Sequence, residues 1–444
     1  MESLNIAFIV LPYDLRDWVK DNDLAKFVLE AVELTDTSMA KVNHRGSGSA
    51  EYPPGMMLAL LIYCYATGVF SSRKIERATY DSISVRYICA NHHPDHDTVA
   101  KFRRNNPELI EECFAQVLAL AGHMGLLNLG TICIDGTRIA GHADGNKNLT
   151  LEQLEEELKT LKEQARQRMQ AAEQADKDDH NADGLLLPEE LGSRSQREAK
   201  LTETKAKLEE RLERLRQQRK ASMQRSRRQD DKPRGGRPSN PRTGEDKVRQ
   251  DRARQKINPN DPDTHSMPVR KGGYVQGYNA QASVDAEGAN LILSAHLTNA
   301  PNDRQQMEAN LERIDPKHLR QTRNVCADKG YYKRRSLMDL EGTHKVRMIV
   351  PPTHQDYKEK ARYAKDHPRE VEKHYKEKLL RRLKTAQGKA LYRKRNTVSE
   401  GTFATIKNAI GFNRFRLKGL HRAQIEWMLA CLGHNCRKIA QSRA

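Results

Sequence analysis

The sequence predicts a mixed α/β protein with an all-helical front end, and three observations carry that expectation. Apolar residues recur at three- and four-residue spacing through residues 1–128. Two short apolar runs, Thr131–Ile134 and Asn324–Ala327, end in acids and read as buried strands. Between them lie two leucine seams at heptad spacing. The expected organisation is therefore a helical domain over 1–128, an α/β core over 129–144 and 270–444, and a helical insertion over 145–223. A basic linker over 224–269 completes it.

In the first segment, Pro53 and Pro54 precede Met57, Leu58, Leu61, Ile62 and Tyr65, which line one helical face. Ser71 and Ser72 open a short helix, and a loop from Asn91 to Asp97 leads to a basic one carrying Lys101, Arg103 and Arg104. The histidines of that loop are too local, with Pro94 among them, to form a metal site. Pro107 then starts an amphipathic helix through Leu109, Ile110, Cys113, Phe114, Val117, Leu118 and Ala121. Short helices with basic loops suit a DNA-binding module.

After the strand ending at Asp135, Leu151, Leu154, Leu158, Leu161 and Ala165 form one seam, and Leu201, Leu208, Leu212 and Leu215 a second. An antiparallel helical hairpin is the simplest architecture, and a dimerising coiled coil is the alternative. From Gln224 to Pro262 the chain is rich in Arg, Gly, Pro and Asp, a composition expected to stay disordered without a partner. Arg234 and Arg237 lie there in a Lys-Pro-Arg-Gly-Gly-Arg-Pro run, a loose match to a minor-groove hook. Strand character returns at Tyr278–Asp285 and Asn290–Thr298, a hairpin. Asp303 reads as the cap of a helix running to Ile314. A helix from Ser399 to Ile410 and another carrying Ile425, Leu429, Leu432 and Ile439 end the sequence.

Of the 444 residues, 77 are Lys or Arg against 59 Asp or Glu, a formal net charge of +18. The excess sits in two blocks, a net +9 over Arg219–Lys256 and a net +10 over Tyr357–Arg395. One-signed blocks favour a polyanion, because each neutralised phosphate releases a counterion. Neither block has the apolar face of a membrane-surface helix, and no apolar run is long enough to span a bilayer. The opening residues lack a basic secretory start, and seven scattered cysteines without a CxxC suit a reducing compartment. The expectation is a cytoplasmic, nucleoid-associated protein with no membrane partner.

Asp135 and Asp328 end strands, where open α/β sheets place their ligands. Glu400 lies in the first turn of a helix after the second basic block, and Lys407, seven residues on, is expected on the same face about 10 Å away. Three carboxylates without a suitable thiolate or imidazole set favour a hard cation, Mg²⁺ or Mn²⁺. Two such ions suit an in-line phosphodiester displacement.

On these residues the chain resembles the bacterial insertion-sequence transposases of the DDE class, in the branch with a Tyr–Arg–Glu–Lys signature. Here that signature reads Tyr392, Arg395, Glu400 and Lys407. Ile134-Asp-Gly-Thr-Arg138, Gly277-Tyr-Asn-Ala-Gln281 through Asp285, and Ala327-Asp-Lys-Gly-Tyr331 match further blocks. The helical region matches through Ser71–Arg77 and through Pro94–Thr98 with Phe102-Arg103. Two departures stand out: four residues separate Arg395 from Glu400 where many relatives have three, and no proline follows Glu400. The resemblance implies an RNase H-like core that cuts transposon ends and transfers them into target DNA, a cut-and-paste transposase. It implies Asp135, Asp328 and Glu400 as catalytic ligands of two Mg²⁺ or Mn²⁺ ions. Tyr392, Arg395 and Lys407 would grip the DNA end, with Arg103, Arg104, Arg234 and Arg237 as further DNA contacts. Double-stranded DNA, as terminal inverted repeats and target, is the implied partner of a homodimer. The alternatives are an inactive DNA-binding derivative and another RNase H-like nuclease such as a junction resolvase.

Overall fold

The computed structural model describes residues 14–41, 52–177, 188–229, 254–269, 272–352 and 368–443. Arg234, Arg237 and the linker from 230 to 253 lie outside the described residues. Two compact units divide the chain: Met1–Ala140 with Tyr278–Ala444, and Gly141–Gly277.

The first unit opens with helices α1 (Leu24–Glu33), α2 (Pro54–Ala66), α3 (Ser72–Asp81), α4 (Ile83–Ile88), α5 (His96–Asn105) and α6 (Pro107–His123). Strand β1 (Thr131–Ala140) follows, and the insertion contributes α7 (Leu151–Lys177), α8 (Pro188–Gln229) and β2 (His265–Pro268). Then come β3 (Tyr274–Asp285), β4 (Ile292–Thr298), α9 (Gln306–Glu312), α10 (Pro316–Gln321), β5 (Asn324–Ala327), α11 (Arg334–His344) and β6 (Arg347–Ile349). The chain closes with α12 (Pro368–Lys384), α13 (Ala386–Arg395), α14 (Gly401–Ala404) and α15 (Leu420–Ser442). The core sheet is mixed, in the order β4-β3-β1-β5-β6. β3 and β4 form the antiparallel hairpin, while β5 runs parallel to both β1 and β6.

The helical front end does not close on a core of its own. The buried face of α6, Leu109 through Ala121, belongs to one hydrophobic cluster with the strands and with α15. α15 packs against β4, α2 and α6 and so joins the helices to the sheet. Gly433 allows its closest approach to α2: a Cβ there would lie 2.9 Å from Ala66 Cα. Trp427, fully buried on α15, donates its indole N–H to the Gln281 carbonyl at 3.0 Å.

A buried polar link crosses the same seam and corrects one expectation. Arg103, expected at DNA, is only 4% exposed. Its Nη1 donates to the Tyr65 hydroxyl at 2.9 Å and to the Phe70 carbonyl at 3.1 Å. Tyr65 in turn donates to Glu426 Oε1 at 3.0 Å, and Glu426 Oε2 accepts the amides of Arg416 and Leu417. Arg103 is thus engaged inside the fold, through the Tyr65 hydroxyl that itself meets Glu426, and is not presented to a phosphate. Arg104, one residue on, is exposed.

In the second unit, α7 and α8 pair in antiparallel sense. Glu155 meets Lys205 while Lys162, further along α7, meets Glu198, nearer the start of α8. Leu151, Leu154, Leu158, Leu201 and Leu208 form their own cluster with Ile257. That last residue corrects the boundary of the expected disordered linker. Residues 254–269 are packed: Ile257 bridges Leu149 through two backbone bonds of 2.9 Å, and Asn258 Nδ2 donates to the Asp144 carbonyl at 2.7 Å. β2 then pairs antiparallel with Tyr274–Gly277. One apolar side chain completing a leucine seam, with its polar neighbours satisfied, outweighs a polar composition.

Arg103→Met leaves the buried Phe70 carbonyl without its donor and the Tyr65 hydroxyl with one partner fewer, and should cost about 1–3 kcal/mol of unfolding free energy. Arg104→Ala should cost less than about 0.5 kcal/mol. Urea denaturation of the two variants compares them directly.

Candidate active site

The parallel register of β1 and β5 brings two of the three expected acids together. Cys133 faces Cys326 and Ile134 faces Ala327, so Asp135 and Asp328 occupy the next position on adjacent strands. Neighbouring strands lie about 4.8 Å apart, which keeps the carboxylates in electrostatic contact. Asp135 Oδ1 accepts the Gly136 amide at 2.9 Å, and Asp328 Oδ1 accepts the Gly330 amide at 2.7 Å. Burial pushes the Asp135 carboxyl up to about 6; Arg395 opposes the rise, while the charges of Asp328 and Asp303 add to it.

Arg395 supplies the local counter-charge. Its Nη1 lies 3.0 Å from Asp135 Oδ2, and the residue is 5% exposed. Its guanidinium also stands 5.5 Å from the Tyr392 ring. The Tyr392 hydroxyl is held above its ordinary range, chiefly by burial and further by the charges of Asp328 and Asp135. Tyr392 and Arg395 are thus brought to the acid pair.

Glu400 is placed differently. It is exposed, at the end of the wide turn Asn396–Glu400, which packs against β1. This turn is of π type, closing over five residues instead of four, and such a bulge absorbs one extra residue within a helix. All four residues that separate Arg395 from Glu400 lie in this turn. A second wide turn, Thr405–Ala409, contains Lys407. The second turn lies between Glu400 and Lys407, so the segment that joins them is not the regular helix expected. Lys407 is half-buried and donates to the Arg138 carbonyl at 2.9 Å. Burial holds its ammonium below the usual lysine range, with Arg138 adding to the effect.

Sequence reasoning missed Asp303 as a site residue. It caps no helix: α9 starts at Gln306, and Gln305 before it makes no capping bond. The Asp303 carboxylate instead pairs with Arg138, Nη2 to Oδ2 at 3.2 Å, and accepts from Asn279 and Gln281. The available signal was the Tyr-Asn-Ala-Gln block on β3, whose polar residues point to a buried acceptor.

Among the described residues, no three His, Cys, Asp or Glu side chains stand close enough to hold a metal ion. The donor chemistry nevertheless fits a hard cation: Asp135 and Asp328 present oxygen only, and their repulsion is met by one guanidinium. Among the described residues no helix is long and apolar enough to cross a membrane, and all seven cysteines are buried and free.

Residues 250–436 match the family model described as the transposase DDE domain, and residues 13–105 match that of the transposase domain DUF772. The first match begins after β1, so Asp135 enters the site through strand register alone. No curated protein and no solved structure matches the chain.

With its carboxyl raised in the folded state, Asp135 contributes stability that is fully present below about pH 4 and is lost as pH rises through about 6. Carboxyl NMR in cation-free buffer should give an Asp135 midpoint near 6. Arg395→Gln removes the opposing charge and should move that midpoint higher.

Proposed function

The chain belongs to the DDE transposases of insertion sequences, and from that premise we propose that it cuts DNA at the inverted-repeat ends of its element and joins them to target DNA, as in cut-and-paste transposition. The observation that carries this reading is the acid pair at one register position, Asp135 within β1 and Asp328 just past β5, met by Arg395 from the Tyr–Arg–Glu–Lys segment. The strand order, with a parallel β1-β5-β6 half and an antiparallel β3-β4 half, agrees with an RNase H-like core. The family uses divalent ions. Asp135, Asp328 and Glu400 are the residues that would hold two of them, Mg²⁺ or Mn²⁺, which supply activation of the attacking oxygen and neutralisation of the leaving one.

The chain's own residues do the rest. Arg395 balances Asp135 in the DNA-free protein, and an incoming phosphate offers its guanidinium a second anion. Tyr392 beside it presents a ring to a base or sugar. Lys407, desolvated and fixed on the β1 backbone, adds positive charge next to Arg138. Duplex DNA is gripped further out. Arg73, Lys74 and Arg77 on α3 and Lys101 and Arg104 on α5 are exposed on adjoining helices. A groove of about 780 Å³ beside β6, lined by Arg347, Lys378 and Arg381 over apolar Ile349 and Leu391, offers a further basic surface. Pairing two ends calls for two copies of the chain.

The test is cleavage of a DNA fragment carrying the terminal repeats that flank the coding sequence, with Mg²⁺ or Mn²⁺ and with chelator as control. Asp135→Ala, Asp328→Ala and Glu400→Ala should each lower cleavage by about 10³-fold or more while leaving DNA binding within a few-fold. Undiminished cleavage by any of them removes that residue from the reaction.

A further inference from the structure

Three sequence blocks around the acids, Asp135–Arg138, Asn279–Gln281 and Asp328–Tyr331, contain polar residues that the chemistry above leaves without a task. They meet at Asp303. Arg138 Nη1 donates to Asn279 Oδ1 at 2.9 Å, and its Nη2 to the Pro301 carbonyl at 2.9 Å besides Asp303 Oδ2. Asn279 Nδ2 donates to Asp303 Oδ1 at 2.7 Å, and Gln281 Nε2 donates to the same oxygen at 2.8 Å and to Asn279 Oδ1 at 3.0 Å. Gln281 Oε1 accepts the Tyr331 hydroxyl at 2.5 Å and Asn310 Nδ2 at 3.1 Å. The chain of bonds thus runs without a gap from Arg138, three residues past Asp135, to Tyr331, three residues past Asp328.

Resting on the assignment of Asp135 and Asp328 above, we infer that Arg138, Asp303, Gln281 and Tyr331 form a positioning frame that fixes the two acid-bearing segments, mid β1 and the end of β5, at one separation. Asp303 is the node. Its carboxylate is 15% exposed and committed to Arg138, Asn279 and Gln281, so it acts through them and is not a further cation ligand. Both amide groups of Gln281 are fully used, and a satisfied buried network of this kind has one low-energy arrangement. The frame also explains Gly136. A Cβ there would lie 2.2 Å from Gln281 Nε2, 2.8 Å from Asn279 Oδ1 and 2.9 Å from Asp303 Oδ1, so any side chain would part the frame. Tyr331 is fully enclosed, and its hydroxyl proton has Gln281 as its acceptor.

Two variants disturb the frame while keeping both acids: Tyr331→Phe, which removes the one oxygen bonded to Gln281, and Gly136→Ala, which inserts one methyl beside Asp135. Each should lower the end-cleavage rate at saturating DNA by about 10-fold or more, with the DNA concentration for half-maximal rate unchanged within about twofold. Calorimetric titration of the DNA-free protein with Mn²⁺ alone should show affinity weakened by about 10-fold. A merely structural role would instead lower the melting temperature and leave the rate per folded molecule and the Mn²⁺ affinity unchanged, which overturns the frame. If Gly136→Ala fails to fold, Tyr331→Phe decides alone. Wild-type rate and Mn²⁺ affinity in Tyr331→Phe beside an inactive Asp135→Ala would overturn the frame and spare the site. An active Asp135→Ala would overturn the site reading itself.

Discussion

Two carboxylates at one register position of neighbouring parallel strands repel each other, and much of the surrounding structure answers that repulsion. Asp135 and Asp328 stand just past the last residues paired between β1 and β5, Asp135 on a strand that runs on to Ala140, and Asp135 is partly shielded from water. Like charges at strand spacing cost several kcal/mol at low dielectric unless opposite charge is near. Arg395 is that charge in the DNA-free protein, placed by α13 and backed by the Tyr392 ring. Arg138, which could have been a second counter-ion, is instead held by Asp303. Arg395 is thus the cation paired with Asp135, while Arg138 is paired with Asp303.

The segment bearing Arg395 and Glu400 must meet β1 while its far end continues toward α15. Its two wide turns serve both demands, since each admits a residue that a regular helix would exclude. Beyond it, α15 packs on β4, α2 and α6, and the Arg103–Tyr65–Glu426 link fastens the front helices to the loop before α15. Helices and sheet share one core, so the helical front end is part of the scaffold that holds the site.

What could be read from sequence was local or periodic. The inward face of α6 follows from apolar spacing, and the cores of β1 and β5 from the short apolar runs before Asp135 and Asp328, although β1 runs on past the expected end at Asp135 to Ala140. What could not be read depended on distant partners. Arg103 sits in a basic helix and reads as exposed, because nothing nearby in sequence announces Tyr65, 38 residues away, or Glu426 beyond it. Asp303 precedes a helix and reads as a cap, yet its partners come from β1 and β3. Ile257 is one apolar residue in a polar stretch, and only the packed leucine seam gives it a place. The wide turn had a sequence trace, the long Arg395–Glu400 spacing, but spacing alone does not distinguish a bulge from a slipped alignment.

The central claim is that Asp135 and Asp328 form one cation-binding centre whose charge Arg395 balances only until DNA arrives. A crystal structure of the protein with Mn²⁺ and a DNA end, phased at the manganese edge, tests it most directly. The account predicts anomalous density coordinated by both Asp135 and Asp328, with the Arg395 guanidinium moved from Asp135 onto a phosphate. Manganese bound away from these two carboxylates, or Arg395 still paired with Asp135 in the DNA complex, would contradict it.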